Sequence, residues 1–370
     1  MKKSIRIDGM RSYPVMMTYI LLLLFCIPQE ATGQDDKYPT IDFWGAFQPR
    51  VSYGSMEEGD SSMDRMGFGI RRARFRAEVM LREKIGVRYD ADFASGSFQS
   101  VDLFAFVRLS EQVTMRMGIM PSAQPRAHIF TPIPLIDGFD RAAIAEQWAG
   151  ATLGGGGRDF GLDVQYQTPA WTLVAFLHNG DGSFSRSRGN FSQTISSEAT
   201  TGGIDRSVLA TSVYAAHRVQ AVEGLEVGGY LSQNSSKNPN TANAFGEGRK
   251  YVSYAAHAYY GAAPGSQPFR VKLDLIGINF NEGEQERLGV SVLGAFRLND
   301  HMELFARYEN AQLDTRIDGT DFVSGGLNFS LSKLKGGNFS DQRATLGYSM
   351  LEAPSGNQQH LVVLQWQFIL

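Results

Sequence analysis

The strongest constraint on this chain is a period of two. In "GIRRARFRAEVML", residues 69–81, Arg72, Arg74 and Arg76 fall on one parity, and Phe75, Ala77, Val79 and Leu81 on the other. Successive side chains of an extended strand face opposite sides, whereas a helix would mix the two rows around its axis. The segment is therefore a strand with one cationic face and one greasy face. Such a strand needs two different surroundings: a guanidinium is costly to bury without water or a counter-charge, and an apolar row gains by leaving water.

The same alternation recurs along the chain. Segments 41–53, 67–81, 85–93, 101–110, 113–120, 158–168, 171–178, 207–219, 224–233, 249–260, 268–280, 287–298, 301–312, 321–331, 342–351 and 359–368 read as sixteen strands. No stretch after residue 33 has the roughly 20 apolar residues of a spanning helix. The links alternate in length. Long ones hold "GSMEEGDSSMDRM", residues 121–157, residues 179–206 and "NSSKNPNTANAFGEG"; short ones fall at 82–84, 111–112, 169–170, 220–223 and 299–300, with "SKLKGGNFSD" as a longer exception. A soluble sandwich has no reason to sort its links by parity. A transmembrane antiparallel β-barrel does, with short periplasmic turns and long external loops. The expected fold is all-β: about sixteen strands, both termini at the periplasmic side, and one loop folded inward.

The first residues agree with export. Lys2, Lys3, Arg6 and Arg11 precede an apolar run from Val15 to Ile27, and small residues Ala31 and Gly33 stand before Gln34. This reads as a signal peptide over residues 1–33, too short to anchor as a spanning helix. Residues 34–40 form a short periplasmic lead and 41–370 the barrel. The single cysteine, Cys26, leaves with the signal, so the mature chain is expected to hold no thiol, disulfide or cysteine-ligated metal. The full chain has 35 basic and 38 acidic residues; loss of the first 33 removes four and two, leaving 31 against 36 and a net charge of −5. Nucleic acid is not an expected partner of so acidic a chain; outer-membrane lipid is.

In such a barrel one parity faces lipid and the other a watery lumen, and an arginine on the lipid side near the midplane costs about 2–4 kcal/mol. Arg72, Arg74 and Arg76 are therefore expected to point inward. So are Arg88, Asp90 and Asp92 on the next strand, with Ile85, Val87, Tyr89, Ala91 and Phe93 outward. Arg108 and Arg116 have the same placing on the two strands after that. Two readings stand side by side: the arginines favour anions in a narrow, partly desolvated pore, or they pair with Glu78, Asp90 and Asp92 and brace the wall. The link 121–157 is long for a compact domain. It carries a helical turn around 141–148, a glycine run at its end and the cations Arg126 and Arg141 with His128 nearby. It is expected either to fold inward as a constriction or to pack over the mouth or between subunits.

At "GFGIRRARFRAEVMLREKIGVRYDADFA", "VDLFAFVRLSEQVTMRMGIMPSAQP", "FDRAAIAEQWAG" and "TLVAFLHNGDG" the chain resembles the phosphate-selective porin O and P family, most clearly over residues 41–185. The resemblance implies a sixteen-stranded barrel, a homotrimer and an arginine ladder leading to an anion-selecting constriction. Arg72 and Arg74 lie in the matching ladder strand, and Arg126 and Arg141 in the matching loop. No lysine occurs from Ile85 through Ser236, so the family's phosphate-holding lysines have no counterpart there.

Other chemistry is thin. His128, His178, His217, His257, His301 and His360 lack metal-ligand spacing, "GFGIRRA" and "GGGGRDF" lack the strand-then-helix context of a phosphate loop, and no cofactor is implied. The expected function is a bacterial outer-membrane porin, a passive channel for small hydrophilic solutes with a preference for anions and possible selectivity for phosphate. The alternatives are a general non-selective porin or a structural barrel, then a barrel enzyme or an adhesin. The pore-lining candidates are Arg72, Arg74, Arg76, Arg88, Arg108, Arg116, Arg126 and Arg141.

Overall fold

A computed structural model describes residues 37–58, 61–128, 131–152, 157–180, 209–234, 250–280, 285–312 and 319–370. The expected signal peptide and most of the two polar links beginning at 179 and 234 lie outside the described residues, as do the first three glycines of the run 154–157. Among the described residues no helix is long and apolar enough to cross a membrane, which says nothing of strands.

The alternation becomes β-structure throughout. The strands are β1 (Thr40–Glu58), β2 (Ser61–Arg82), β3 (Ile85–Asp92), β4 (Gln99–Arg108), β5 (Val113–Met120), β6 (Asp159–Gln167), β7 (Trp171–His178) and β8 (Ala210–Arg218). They continue with β9 (Leu225–Asn234), β10 (Tyr251–Tyr260), β11 (Phe269–Phe280), β12 (Gln285–Asn299), β13 (Met302–Gln312), β14 (Thr320–Ser330), β15 (Gln342–Glu352) and β16 (Gln358–Ile369). Each pairs antiparallel with its neighbours in sequence, and β16 pairs with β1, closing the barrel. Closure leaves no strand without two partners over the shared span, so the backbone polar groups there are satisfied within the sheet except where bulges interrupt the ladder.

Burial follows the expected parity. On β13, Glu303, Phe305, Arg307 and Glu309 are buried while Leu304, Ala306 and Tyr308 are exposed; on β8, Ala210, Ser212, Tyr214 and Ala216 alternate with exposed Thr211, Val213 and Ala215. The exposed face is an apolar girdle including Phe43, Phe75, Leu103, Met117, Leu173, Leu231, Leu273, Leu304, Leu346 and Val362, the outer surface that a hydrocarbon solvent requires. One expectation fails. "GSMEEGDSSMDRM" is not a long loop: β1 and β2 stay paired through it, from Ser52 opposite Gly67 to Glu58 opposite Ser61. The hydrophobic pattern stops there because both faces of β2 are exposed from Ser62 to Ile70, and cross-strand backbone bonds hold the ribbon without it.

The described residues of the link after β5, 121–128, 131–152 and 157–158, lie inside the barrel. This segment carries a 3-10 turn at Ile133–Leu135 and the helix α1 (Ala143–Ala151), which overlaps the expected turn at 141–148. Helix α1 is rich in alanine and has Glu146 in its first turn, both favourable. Its N-terminus has no side-chain cap of its own. Instead Glu309 of β13 accepts from the Ile144 amide at 3.0 Å, supplying from the wall what a capping residue supplies locally. The approach is close: a Cβ on Gly138 would come within 2.6 Å of Phe305, and one on Gly289 within 2.9 Å of Ile144. Phe139 packs on Gly347 in the same way. Helix and wall meet backbone to side chain, at distances only glycine permits.

Candidate functional site

The site has two sides, a wall of arginines on β1–β4 and the inner segment facing it. The wall begins with an irregularity. Pro49 on β1 has no N–H to give to the ladder, and the register shifts there: Gln48 faces Arg72 but Pro49 faces Ile70. Arg71 is the extra residue of this bulge. It belongs to the outward parity, yet its guanidinium reaches the inner segment, where Nε donates to Asp140 at 2.5 Å. Arg72 is buried beside it, donating to Gln48 at 2.9 Å and standing 3.5 Å from Asp140. Arg50, from β1, completes the group at 3.4 Å.

Further down the wall, each arginine has a carboxylate. Arg74 pairs with Asp92 at 2.7 Å, and Arg76 and Arg88 share Asp90 at 2.9 and 3.1 Å. Arg76 also lies over the Trp44 ring, 4.8 Å from its centroid, a cation–π contact. Arg108 stands 3.5 Å from Glu78 and is nearly half exposed. Arg116 is bound by Asp163 and by the Pro121 carbonyl, and Arg158 by Asp102. The pairing does not close the stripe to water: the side chains of Arg71, Arg74, Arg76 and Arg88 keep 22–31 % of their exposure, while Asp90 keeps 4 %. Water therefore meets guanidinium more than carboxylate on this wall.

The segment's own cations go elsewhere. Arg126 crosses to β9, where Nε donates to Glu226 at 2.7 Å, and it lies over Tyr259. Arg141 turns back on its own segment, donating to the carbonyls of His128 and Thr131 at 3.0 and 3.1 Å, with Glu146 at 3.9 Å. Burial first, then Arg141, Arg158 and Arg72, hold the pKa of His128 well below the usual 6.5. The structure thus gathers Arg72, Arg74, Arg76 and Arg88 in one row, sets Arg108 and Arg116 on the neighbouring strands, and sends Arg126 to the far wall.

Sequence reading missed what holds the segment in place. Asp137 accepts from Arg270 and Lys272 of β11, both at 2.7 Å, and Arg270 also binds Glu303 of β13 at 2.7 Å. Burial pushes the Asp137 carboxyl up, but Lys272 and Arg270 outweigh it and bring its pKa to about 2. Backbone carbonyls are held too: Ile136 by Arg343 at 2.8 Å, Asp137 by Asn328 at 2.6 Å, and Asp140 and Arg141 by Arg307 at 3.2 and 3.0 Å. The helix is fixed by Trp148, which donates to Ser253 at 2.7 Å. A signal for this wall exists in "FRVKLDL", where Arg270, Lys272 and Asp274 share one parity.

No family model matches the chain, and no curated protein matches it. Solved structures do. It is similar to the outer membrane channel DcaP of Acinetobacter baumannii at 11 % identity, covering 92 % of this chain and 100 % of that one with a TM-score of 0.60. It is similar to Salmonella typhi OmpF, in a complex with daunomycin, at 14 % identity, 89 % and 98 % coverage and a TM-score of 0.56. Vibrio cholerae OmpT in its trimer form gives 12 % identity, 90 % and 99 % coverage and a TM-score of 0.54. At these identities the likeness is one of fold: the chain has the fold of bacterial outer-membrane porins.

Proposed function

We propose that the chain is an outer-membrane porin, exported by its first 33 residues, through which small hydrophilic solutes diffuse, with a preference for anions set by the arginine wall. The observation that carries this reading is the unequal water access of the wall's ion pairs, guanidinium side chains being several times more exposed than the Asp90 they share. In a narrow lumen with low-dielectric walls such a surface attracts anions and repels cations. The resemblance to phosphate-selective porins brings phosphate in as one of the anions carried. Tight holding of phosphate is not part of the proposal, since residues 85–236 contain no lysine. A homotrimer is part of it, supported by the porin fold and the resemblance.

The general, non-selective porin is favoured by one specific observation: Arg74, Arg76, Arg88 and Arg108 each have a carboxylate within 3.5 Å, which cancels much of the field at a distance. Reversal potentials in a salt gradient across planar bilayers decide between them. Replacing Arg72, Arg74 and Arg76 together with glutamine is expected to lower the anion-over-cation permeability ratio several-fold. An unchanged reversal potential makes the stripe a brace for the wall.

A further inference from the structure

Arg108 is held differently from its neighbours on the near wall. Arg74, Arg76, Arg88 and Arg116 each donate to a carboxylate at 2.7–3.1 Å. Arg108 stands 3.5 Å from Glu78, beyond the usual hydrogen-bonding range, and both side chains reach water, Arg108 the more so. Its second partner is an aromatic ring. Phe106 precedes it by two positions on the same face of β4, and the Arg108 Cζ sits 5.4 Å from the ring centroid, a cation–π contact. Phe106 is itself buried, and a glycine makes its place. Gly86 on β3 is the cross-strand partner of Phe106, and a Cβ there would come within 2.4 Å of the ring's Cζ. The ring therefore rests over bare backbone, on a seat that only glycine leaves open.

We propose that Phe106, seated on Gly86, is a positioning residue for the channel: it holds Arg108 clear of Glu78 and so keeps an uncancelled positive charge in the water of the lumen beside the β4–β5 turn. Two groups compete for this guanidinium, the Glu78 carboxylate and the Phe106 ring face. At an exposed site an ion pair and a cation–π contact are of similar strength, so loss of either one hands the side chain to the other. The two outcomes differ in what water meets. Closed on Glu78, the pair is neutral from a distance; over the ring, which carries no charge, the cation keeps its field. Arg88 and Arg116 also lie over a ring, that of Phe104, but their carboxylates already hold them, so the ring decides only at Arg108. The effect on anion preference rests on the channel reading above; the placement of Arg108 does not.

Labelling of the full chain in detergent micelles with phenylglyoxal, a guanidine-directed reagent, tests the placement without any conductance measurement. Peptide mass spectrometry reads the rate at Arg108 against that at Arg65, which is exposed on the β1–β2 ribbon. Phe106→Leu is expected to slow labelling of Arg108 about threefold, the order of one exposed cation–π contact, because the guanidinium closes on Glu78. Gly86→Ala, which displaces the ring without removing it, is expected to act in the same direction and carries the test if F106L does not fold. In a Glu78→Gln background neither change should alter the rate by more than about 1.5-fold, since the competing carboxylate is gone. An unchanged rate in F106L or G86A with the barrel intact by circular dichroism, or the same slowing with and without E78Q, overturns the proposal. In planar bilayers F106L should also lower the anion-over-cation permeability ratio. Labelling as expected with an unchanged reversal potential keeps the placement of Arg108 and overturns the anion-selective reading of the wall instead.

Discussion

The two walls of this barrel use the same chemistry to opposite ends. On β1–β4 and on β11–β15 arginines meet aspartates and glutamates at 2.7–3.5 Å. On the far wall the pairs are out of water: Arg270 and Glu303 are each fully buried, and Asp137 almost so. On the near wall, the buried Arg158–Asp102 pair apart, the arginines stay partly in water, and Arg108 is the extreme at 48 % side-chain exposure. The difference is made by the inner segment, whose described residues bury their anchors on β11–β15 and meet β1–β4 only at Asp140 and Arg158. A buried pair contributes little net stability but its rupture is expensive, because one charge is left uncompensated. An exposed pair is cheap to break and acts mainly through the potential it creates. The far wall therefore holds the segment, and the near wall keeps guanidinium groups in contact with water.

The largest effect should come from breaking the far wall. Arg270→Met leaves Glu303 and half of the Asp137 anchor unpaired, and is expected to cost about 3–5 kcal/mol in a denaturant midpoint. The matched change on the near wall, Arg76→Gln, should cost about 1 kcal/mol or less. Equal losses would erase the distinction between the walls. A smaller effect follows from acid. The folded pKa of Asp137, about 2, lies below its ordinary 3.8, so its anchoring is complete above that ordinary value and is lost as the pH falls through the folded one. Fluorescence of a variant with Trp44, Trp171 and Trp366 replaced by phenylalanine, which reports on Trp148 alone, should stay constant from neutral pH to about 4 and change between there and about 2; a transition near pH 6 would place the titrating group elsewhere. The smallest is Trp148→Phe, which keeps the ring packing near Tyr230 and removes the bond to Ser253. A loss of about 1 kcal/mol is expected.

The barrel was legible because lipid imposes a rule on every second residue, and the rule shows in the chain. Where lipid is absent the rule lapses, and the β1–β2 ribbon from Gly54 to Met66 read as a loop for that reason. Arg74, Arg76 and Arg88 could be set in one row by parity alone. Arg71 could not: its parity is outward, and its reach to Asp140 depends on a bulge whose only written sign is Pro49 in mid-strand. The anchoring of the inner segment was hidden for a different reason. Asp137 and Arg270 are 133 positions apart, and no local pattern couples them. Arg126 illustrates the same limit, since its charge was plain in the sequence while its partner, Glu226, lies 100 positions on.

The seam between β1 and β16 carries one last consequence. Every other ladder joins strands adjacent in sequence, and the contacts they need form early and locally. This one couples opposite ends of the chain, with Gln48 bonded to Gln367 across 319 positions, so its loop-closure entropy is paid late. Until that happens the nascent sheet has two bare edges, each able to recruit a stranger's strand. The vulnerable moment in the life of this molecule is thus its last step of assembly, and substitutions along the seam should show up in the yield of folded barrel before they show up in the stability of what has folded.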